Sequence, residues 1–239
     1  MQENLLPISN VEKVFCINVE TNTERQNFMK KQFDELKISE KVEFVKAVTP
    51  ESEEYKECLS KGIISQSNNR KKQIEQAISL SHRKVWKKIK SENIKIALVL
   101  EDDIEFNFEF LKNMKTKVCI NDNLKEQIYY IHLLTSYPNK IIRQFPNNME
   151  NPLLHRYNIK YGMGAYIIGD KSAELLIGNE ETKFHEIPID DYLWNMKTVT
   201  KHRNEFILFP IVCQNTSQRK TVCFKSNHNF QSNFRQDEA

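Results

Sequence analysis

The chain has 239 residues, of which 39% are hydrophobic and 28% are charged, a composition typical of a globular protein with a substantial core. Its formal net charge of +3 is small, so composition gives no reason to expect a nucleic-acid-binding protein. A content of five glycines and seven prolines excludes a collagenous or linker-rich chain.

Strands and helices alternate from the start of the chain. The run KVFCIN, residues 13–18, is short, apolar and ends in a polar residue, which predicts a first strand. Residues 21–36 carry apolar side chains at helical spacing and predict a helix, with Thr21 or Thr23 as its N-cap. The alternating apolar residues of KVEFVKAV, residues 41–48, predict a second strand.

The longest predicted helix precedes the most apolar predicted strand. Residues 50–70 are polar and irregular, which predicts a surface loop. Residues 73–92 predict a helix, with Trp86 in the core or in a pocket wall and an apolar stripe formed by Ile74, Ala77, Ile78, Ser81, Val85 and Ile89. The continuous apolar run IKIALVL, residues 94–100, fits a strand that is buried on both faces.

The second half of the chain continues the alternation with shorter elements. The pattern predicts helices at 108–115, 171–178 and 187–197, strands at 127–134, 161–169 and 204–215, and a loop with a possible hairpin at 136–160. Strands that alternate with helices predict an α/β layered fold with a mostly parallel sheet. We expect one domain over residues 1–224 and a polar tail over residues 225–239.

The cysteines and the start of the chain bear on the cellular compartment. The five cysteines are widely spaced and include no C-x-x-C pair, so we expect neither a zinc ribbon nor a disulfide framework. Cys16 and Cys213 lie in apolar runs and are expected in the core. We see no signal peptide and no apolar window of about 20 residues that could span a bilayer. The expected location is the cytoplasm, with peripheral attachment to a membrane left open.

Three consecutive carboxylates follow the most apolar strand. Glu101, Asp102 and Asp103 come directly after the run that ends at Leu100. Ligands of open α/β sheets bind at the carboxyl ends of the strands, and crowded carboxylates repel one another unless a cation neutralises them. Oxygen ligands suit Mg²⁺ or Mn²⁺ together with diphosphate oxygens. The alternative is a solvated turn after a strand, where Asp is common.

Four sequence blocks occur in the order seen in a known enzyme family. The blocks VFCINVETNTER, EQAISLSHRKVW, ALVLEDDI and IPIDDYLW, with YGMGAYIIGDKSAELLI before the last of them, resemble glycosyltransferase family 25. The similarity covers residues 12–220, and members include lipooligosaccharide transferases and collagen galactosyltransferases. It implies a GT-A-like Rossmann-type fold, a UDP-galactose or UDP-glucose donor, and a divalent metal ion, Mn²⁺ or Mg²⁺.

The resemblance assigns roles to the acidic triplet. Asp103 is the first choice as a metal ligand, and Glu101 is a second ligand or a contact to the donor ribose. Asp102 is expected to face inward and hold the loop within the donor site. A metal on the diphosphate stabilises the charge that develops on UDP as the sugar leaves.

A second acidic pair, Asp190 and Asp191, stands at a predicted helix start. One interpretation is structural, since Asp in the first turn of a helix stabilises it without any chemistry. The other makes Asp190 the general base that deprotonates the acceptor hydroxyl, as inversion at the anomeric carbon requires. The resemblance favours Asp190 over Asp191, because the family aspartate follows the proline by two positions.

Four further residues are candidates for the donor site. Asn18, at the tip of the first strand, is a candidate contact to uridine or ribose, and Arg25 could bind a phosphate or pair with an acid of its helix. Ser81 and His82 do not predict a hydrolase, because adjacent helix positions point about 100° apart. By the resemblance, His82 is expected to brace the donor pocket, with a structural histidine as the alternative.

The function predicted from these observations is metal-dependent, inverting transfer of galactose or glucose from a UDP-sugar. The acceptor is a hydroxyl of a glycan or of a hydroxylysine-bearing protein. A catalytically inactive nucleotide-sugar-binding domain is the main alternative, and a metal-dependent phosphoesterase is a weaker one. We expect no nucleic-acid partner.

Overall fold

A computed structural model describes residues 4–134, 153–156, 163–178, 188–192, 205–209 and 213–215. The strands are β1 Lys13–Asn18, β2 Val42–Lys46, β3 Ala97–Glu101, β4 Ile104–Phe106, β5 Tyr130–His132, β6 Leu153–Arg156, β7 Ala165–Ile168, β8 Glu205–Phe209 and β9 Cys213–Asn215. The helices are α1 Thr23–Leu36, α2 Glu53–Ser60, α3 Arg70–Ser91, α4 Phe108–Asn113, α5 Asp122–Lys125 and α6 Asp170–Gly178. A 3₁₀ turn spans Ser39–Lys41, and residues 189–192 are helical.

The central sheet has seven strands in the order β2-β1-β3-β7-β5-β8-β6. Strand β1 pairs in parallel with β2 and β3, and β5 pairs in parallel with β8. Strand β7 is antiparallel to both of its neighbours, and β6 is antiparallel to β8. Strands β1, β2, β3, β5 and β8 therefore point the same way, which confirms the predicted α/β architecture with a mostly parallel sheet.

Hydrophobic layers cover both faces of this sheet. On β1, Cys16 faces the layer under α1, whereas Phe15 faces the layer under α3. This alternation follows from the period of two along a strand. Helix α1 contributes Phe33 to the first layer, and α3 contributes Trp86 and Ile89 to the second. All five side chains are buried, which confirms Cys16 and Trp86 as core residues.

The two long helices begin at asparagine caps. The Asn22 side chain accepts a hydrogen bond from the Arg25 amide, and Asn69 caps α3 in the same way. Such caps pair backbone N–H groups that have no partner inside the helix. The prediction of Thr21 or Thr23 as the cap of α1 was wrong, because Asn22 holds that position. Helix α1 ends at Leu36 and is followed by its C-cap residue, Lys37, which adopts a left-handed conformation with φ 58°.

Two sequence predictions failed where short elements break a longer pattern. The predicted loop at 50–70 contains α2, whose N-cap is Ser52. The predicted strand at 204–215 is two strands, since β8 joins the central sheet and β9 pairs with β4. Pro210, which lies between them in the sequence, has no N–H for a strand ladder. Strand β4 and helix α5 are short elements that the pattern did not predict.

Several predictions fall outside the described residues, among them most of the loop at 136–160 and the tail at 225–239. Within that loop, residues 153–156 form β6, which pairs with β8. Cys213 is buried in the core as expected. Within the described parts of the chain, no helix combines the length and apolar character needed to cross a bilayer.

The contact between Gly169, the residue before α6, and Lys95, which precedes β3, gives a test of the fold. A Cβ added at Gly169 would lie 2.5 Å from the Lys95 carbonyl oxygen, a backbone atom that cannot move aside cheaply. We expect Gly169→Ala to lower the free energy of unfolding by about 1–3 kcal/mol, measured by urea denaturation.

The matched control is Gly178→Ala, at the end of α6, where an added Cβ meets no heavy atom within 4 Å. The control should stay within about 0.5 kcal/mol of the parent protein. Equal urea midpoints for the two variants would contradict the close packing at Gly169.

Candidate functional site

A buried group of three polar side chains lies at the carboxyl ends of β1 and β3. Asn18 Nδ2 donates to Asp102 Oδ2 at 2.8 Å, and Arg25 donates from a guanidinium nitrogen to Asp102 Oδ1 at 2.7 Å. Asp102 is 6% exposed. The carboxylate therefore connects the turn after β3 to the tip of β1 and to the first turn of α1.

Opposing effects act on the pKa of the Asp102 carboxyl. Burial raises the pKa of this carboxyl above its usual value, and the charge and hydrogen bond of Arg25, with the hydrogen bond of Asn18, act to lower it. An isolated ionised carboxylate in such a place would be costly, so the buried pair with Arg25 is what makes the inward position tolerable. Asp102 thus faces inward, and Arg25 pairs with this acid.

Glu101, the last residue of β3, faces the other layer of the fold. Its Oε1 lies 3.3 Å from His82 Nε2, and its side chain is 31% exposed. His82 Nδ1 lies 3.0 Å from the Tyr166 hydroxyl, which also accepts a hydrogen bond from Trp86 Nε1 at 2.8 Å. The structure therefore brings His82 of α3 into contact with the acidic triplet.

The start of β7 brings the second acidic pair to the same sheet edge. Glu101 donates its backbone N–H to Gly164 O at 2.9 Å, and the neighbouring Met163 N–H donates to Asp190 Oδ1 at 3.2 Å. Asp190 lies in the helical turn 189–192, in which Tyr192 N donates to Pro188 O. Met163, which contacts Asp190, and Gly164, which contacts Glu101, are therefore neighbours in the chain.

The remaining predicted residues occupy different settings. Asp103 is half-buried beside Asp102, and Asp191 is half-buried on the turn that carries Asp190. Ser81 is buried, accepts a hydrogen bond from Val48 N at 2.8 Å and lies 2.8 Å from Ala77 O. Its hydroxyl therefore connects α3 to the segment after β2 and makes no pair with His82.

Sequence reasoning missed a buried pair in the middle of the sheet. His132 Nε2 lies 2.9 Å from Glu205 Oε1, and both side chains are buried. It also missed Tyr166, which contacts His82. His132 and Glu205 are 73 positions apart and come from β5 and β8, so no local pattern could have linked them.

Within the described ranges, no group of three or more His, Cys, Asp or Glu side chains is arranged to hold a metal ion. Glu101 and Asp103 flank the inward-facing Asp102 at the same strand end. Two carboxylates with partial exposure can supply part of the oxygen shell of Mg²⁺ or Mn²⁺, which often take further ligands from water and substrate phosphates.

Comparison with known proteins adds one match. The model of glycosyltransferase family 25, described as LPS biosynthesis protein, matches residues 11–193. This range runs from the start of β1 to beyond Asp191 and contains every predicted site residue. A search of curated proteins finds no match.

The buried pair gives a prediction about stability. Arg25→Met leaves Asp102 ionised and buried without its cation, so we expect a loss of about 3–5 kcal/mol in the free energy of unfolding at pH 7. The matched control is Arg70→Met, because Arg70 makes an exposed ion pair with Glu51 at 2.7 Å. That control should lose less than about 1 kcal/mol in urea denaturation.

The loss in free energy of unfolding caused by Arg25→Met should depend on pH. Burial already raises the pKa of Asp102, and removal of Arg25 raises it further, so the folded state takes up a proton more readily than the unfolded chain. The deficit should be largest at neutral pH and shrink as the pH falls through that raised pKa. A deficit that stays constant from pH 7 to pH 4 would show that the lost interaction is not with an ionised Asp102.

Proposed function

The chain belongs to glycosyltransferase family 25, and on that premise we propose that it transfers galactose or glucose from a UDP-sugar to a hydroxyl group, with a divalent metal ion and inversion at the anomeric carbon. The observation that carries this proposal is the acidic strand end, where Asp102 is anchored inward between Glu101 and Asp103. Ligands of α/β folds bind at this edge of the sheet. The description of the family favours a glycan acceptor over a hydroxylysine-bearing protein.

Glu101 and Asp103 are the residues that would hold Mn²⁺ or Mg²⁺. Two protein carboxylates are enough for such an ion when a diphosphate supplies further oxygens. When bound, the cation neutralises the charge that develops on the leaving UDP. Asp102 is unsuited to direct ligation, because its two oxygens already accept hydrogen bonds from Asn18 and Arg25.

The anchors of Asp102 act on the donor through the acidic turn. Asn18 and Arg25 fix Asp102 and so the backbone that leads to Asp103. Ser81 contributes by holding α3 against the segment after β2. Contacts of Asn18, Arg25, Ser81, His82 or Asp102 with the donor itself remain predictions.

Asp190 is the proposed general base for the acceptor hydroxyl, with Asp191 as the alternative. In support, the Met163 N–H binds Asp190 Oδ1 and so orients the carboxylate beside the start of β7. The neighbouring residue, Gly164, contacts the backbone of Glu101. A base on this side and a leaving group held at the strand end suit an in-line displacement with inversion.

One contact favours a second candidate, a nucleotide-sugar-binding domain without catalysis. A backbone N–H that donates to a carboxylate stabilises its charged form and weakens it as a base, and Asp190 accepts such a bond from Met163. Calorimetry of UDP binding, combined with a turnover assay, separates the two functions. The binding domain binds UDP with Mn²⁺ but neither transfers nor hydrolyses the sugar.

The metal role is tested by UDP release from UDP-galactose and UDP-glucose in the presence of Mn²⁺. We expect Asp103→Ala to lower turnover by at least about 100-fold, because a ligand of the cation at the leaving group is lost. Asp122→Ala is the matched control, since Asp122 is exposed on α5. Equal turnover by Asp103→Ala and the parent protein would remove the proposed metal site.

The base is tested by two isosteric changes made side by side. We expect Asp190→Asn to lower kcat by about 10²–10⁴-fold with little change in UDP affinity, because the amide cannot take the acceptor proton. Asp191→Asn, one position along the same turn, should retain most activity. The reverse order of effects would assign the base to Asp191.

A further inference from the structure

A chain of hydrogen bonds runs through the interior from α3 to the acidic strand end. It begins at Trp86 Nε1, passes through the Tyr166 hydroxyl to His82 Nδ1, and continues from His82 Nε2 to Glu101 Oε1. The three distances are 2.8, 3.0 and 3.3 Å in that order. Trp86, Tyr166 and His82 are each at most 1% exposed, so water cannot readily replace any of these partners.

The direction of donation along this series of hydrogen bonds follows from which groups can donate a hydrogen. The indole N–H of Trp86 can only donate, so the Tyr166 oxygen accepts from it. The hydroxyl hydrogen of Tyr166 is then directed to His82 Nδ1, which must act as an acceptor. Burial raises the pKa of Tyr166 well above its usual value and so keeps this hydroxyl protonated.

The other end of the chain gives the same direction. An ionised carboxylate can only accept, so the contact between Glu101 Oε1 and His82 Nε2 needs a hydrogen on Nε2. A neutral imidazole with Nε2–H and a bare Nδ1 satisfies both contacts at once. With the opposite tautomer, the Tyr166 hydroxyl hydrogen would lose its acceptor and Nε2 would face the carboxylate oxygen without a hydrogen.

The aromatic rings around the chain fix its geometry. His82 and Trp86 lie one helical turn apart on α3 and both reach Tyr166 of β7. The rings of His82 and Tyr166 are stacked, with centroids 5.7 Å apart and planes at 29°. Trp86 is stacked in turn on Tyr192, at 6.3 Å and 25°. The imidazole therefore has little freedom to rotate away from Glu101.

The second carboxylate oxygen of Glu101, Oε2, lies on the side of Gly164. Among the described residues, no hydrogen-bond donor contacts its Oε2, which lies over Gly164 at 3.4 Å from the position that a Cβ would take there. We infer that His82 is a positioning residue: its contacts with the Tyr166 hydroxyl at Nδ1 and with Glu101 at Nε2 together set the Nε2–H tautomer, which holds Glu101 by Oε1 and presents Oε2 to the ligand. The catalytic consequence rests on the proposed function, whereas the tautomer does not.

The tautomer can be measured directly in the protein without any ligand. Long-range ¹H–¹⁵N correlation spectra of protein labelled on its six histidines report which ring nitrogen carries the hydrogen, and the signals missing from His82→Gln identify His82. We expect a protonated Nε2 and an unprotonated Nδ1 for His82. A ring protonated on Nδ1, alone or together with Nε2, would overturn the inference.

The variant Tyr166→Phe removes a single oxygen and tests whether the Tyr166 hydroxyl donates a hydrogen bond to His82 Nδ1. We expect the His82 Nδ1 resonance to shift, because its donor is gone, while Nε2 stays protonated by virtue of Glu101. An unchanged Nδ1 resonance would show that the Tyr166 hydroxyl does not donate to His82. This variant keeps the aromatic ring, so it decides the question even if larger changes at His82 unfold the protein.

The positioning role is tested by Mn²⁺ titration in the presence of UDP. We expect His82→Leu to bind Mn²⁺ about 10–100-fold more weakly, as for other losses of a partner behind a metal ligand. His82→Gln, whose side-chain amide can donate in place of Nε2–H, should recover most of the loss. His155→Leu is the matched control, since His155 lies on β6 at the edge of the sheet.

The outcomes separate the two proposals. A parent protein that binds neither Mn²⁺ nor UDP contradicts the proposed function, and the spectra still decide how His82 is held. Normal Mn²⁺ binding by His82→Leu, with the parent protein active, contradicts the positioning role alone. Tighter Mn²⁺ binding by His82→Gln than by His82→Leu supports a donated hydrogen bond over simple packing.

Discussion

The burial of one ionised carboxylate, Asp102, is the constraint on which the arrangement of the site depends. A charge at this depth needs partners, and its partners come from the tip of β1 and the first turn of α1. Arg25 reaches Asp102 from 77 positions away in the sequence. The pair thus joins the first strand–helix unit of the fold to the central strand, and any change that loosens it moves the acidic turn as well.

The geometry of the strand separates two of the three consecutive acids, Glu101 and Asp102. Successive residues of a strand point to opposite faces, so Glu101 follows Val99 toward the α3 layer, and Asp102 follows Leu100 toward the α1 layer. Glu101 meets His82 and Asp102 meets Arg25. Repulsion between Glu101 and Asp102 is reduced because each has a partner from a different helix layer.

The sequence predicted what depends on local periodicity and failed where a partner is distant. The bounds of β1 and the strand character of residues 97–100 follow from short apolar runs, and both are confirmed. The acids at the end of β3 were found because a strand end is visible in the sequence. The partner of Arg25, the contact between Val48 and Ser81, and the pair of His132 with Glu205 depend on long-range packing that no single segment encodes.

The positions of Ser81 and His82 on α3 explain why His82 contacts the acidic strand end and Ser81 does not. Both are buried on α3, but the hydroxyl of Ser81 makes its contacts with Val48 and with Ala77 of its own helix. His82 is one position further round the helix and reaches Tyr166 and Glu101. Helices on both faces of the sheet therefore converge on consecutive residues of one strand end, α1 through Arg25 and α3 through His82. A strand end held from both layers is stiff, and the proposed ion site needs that stiffness to keep its carboxylate oxygens in place.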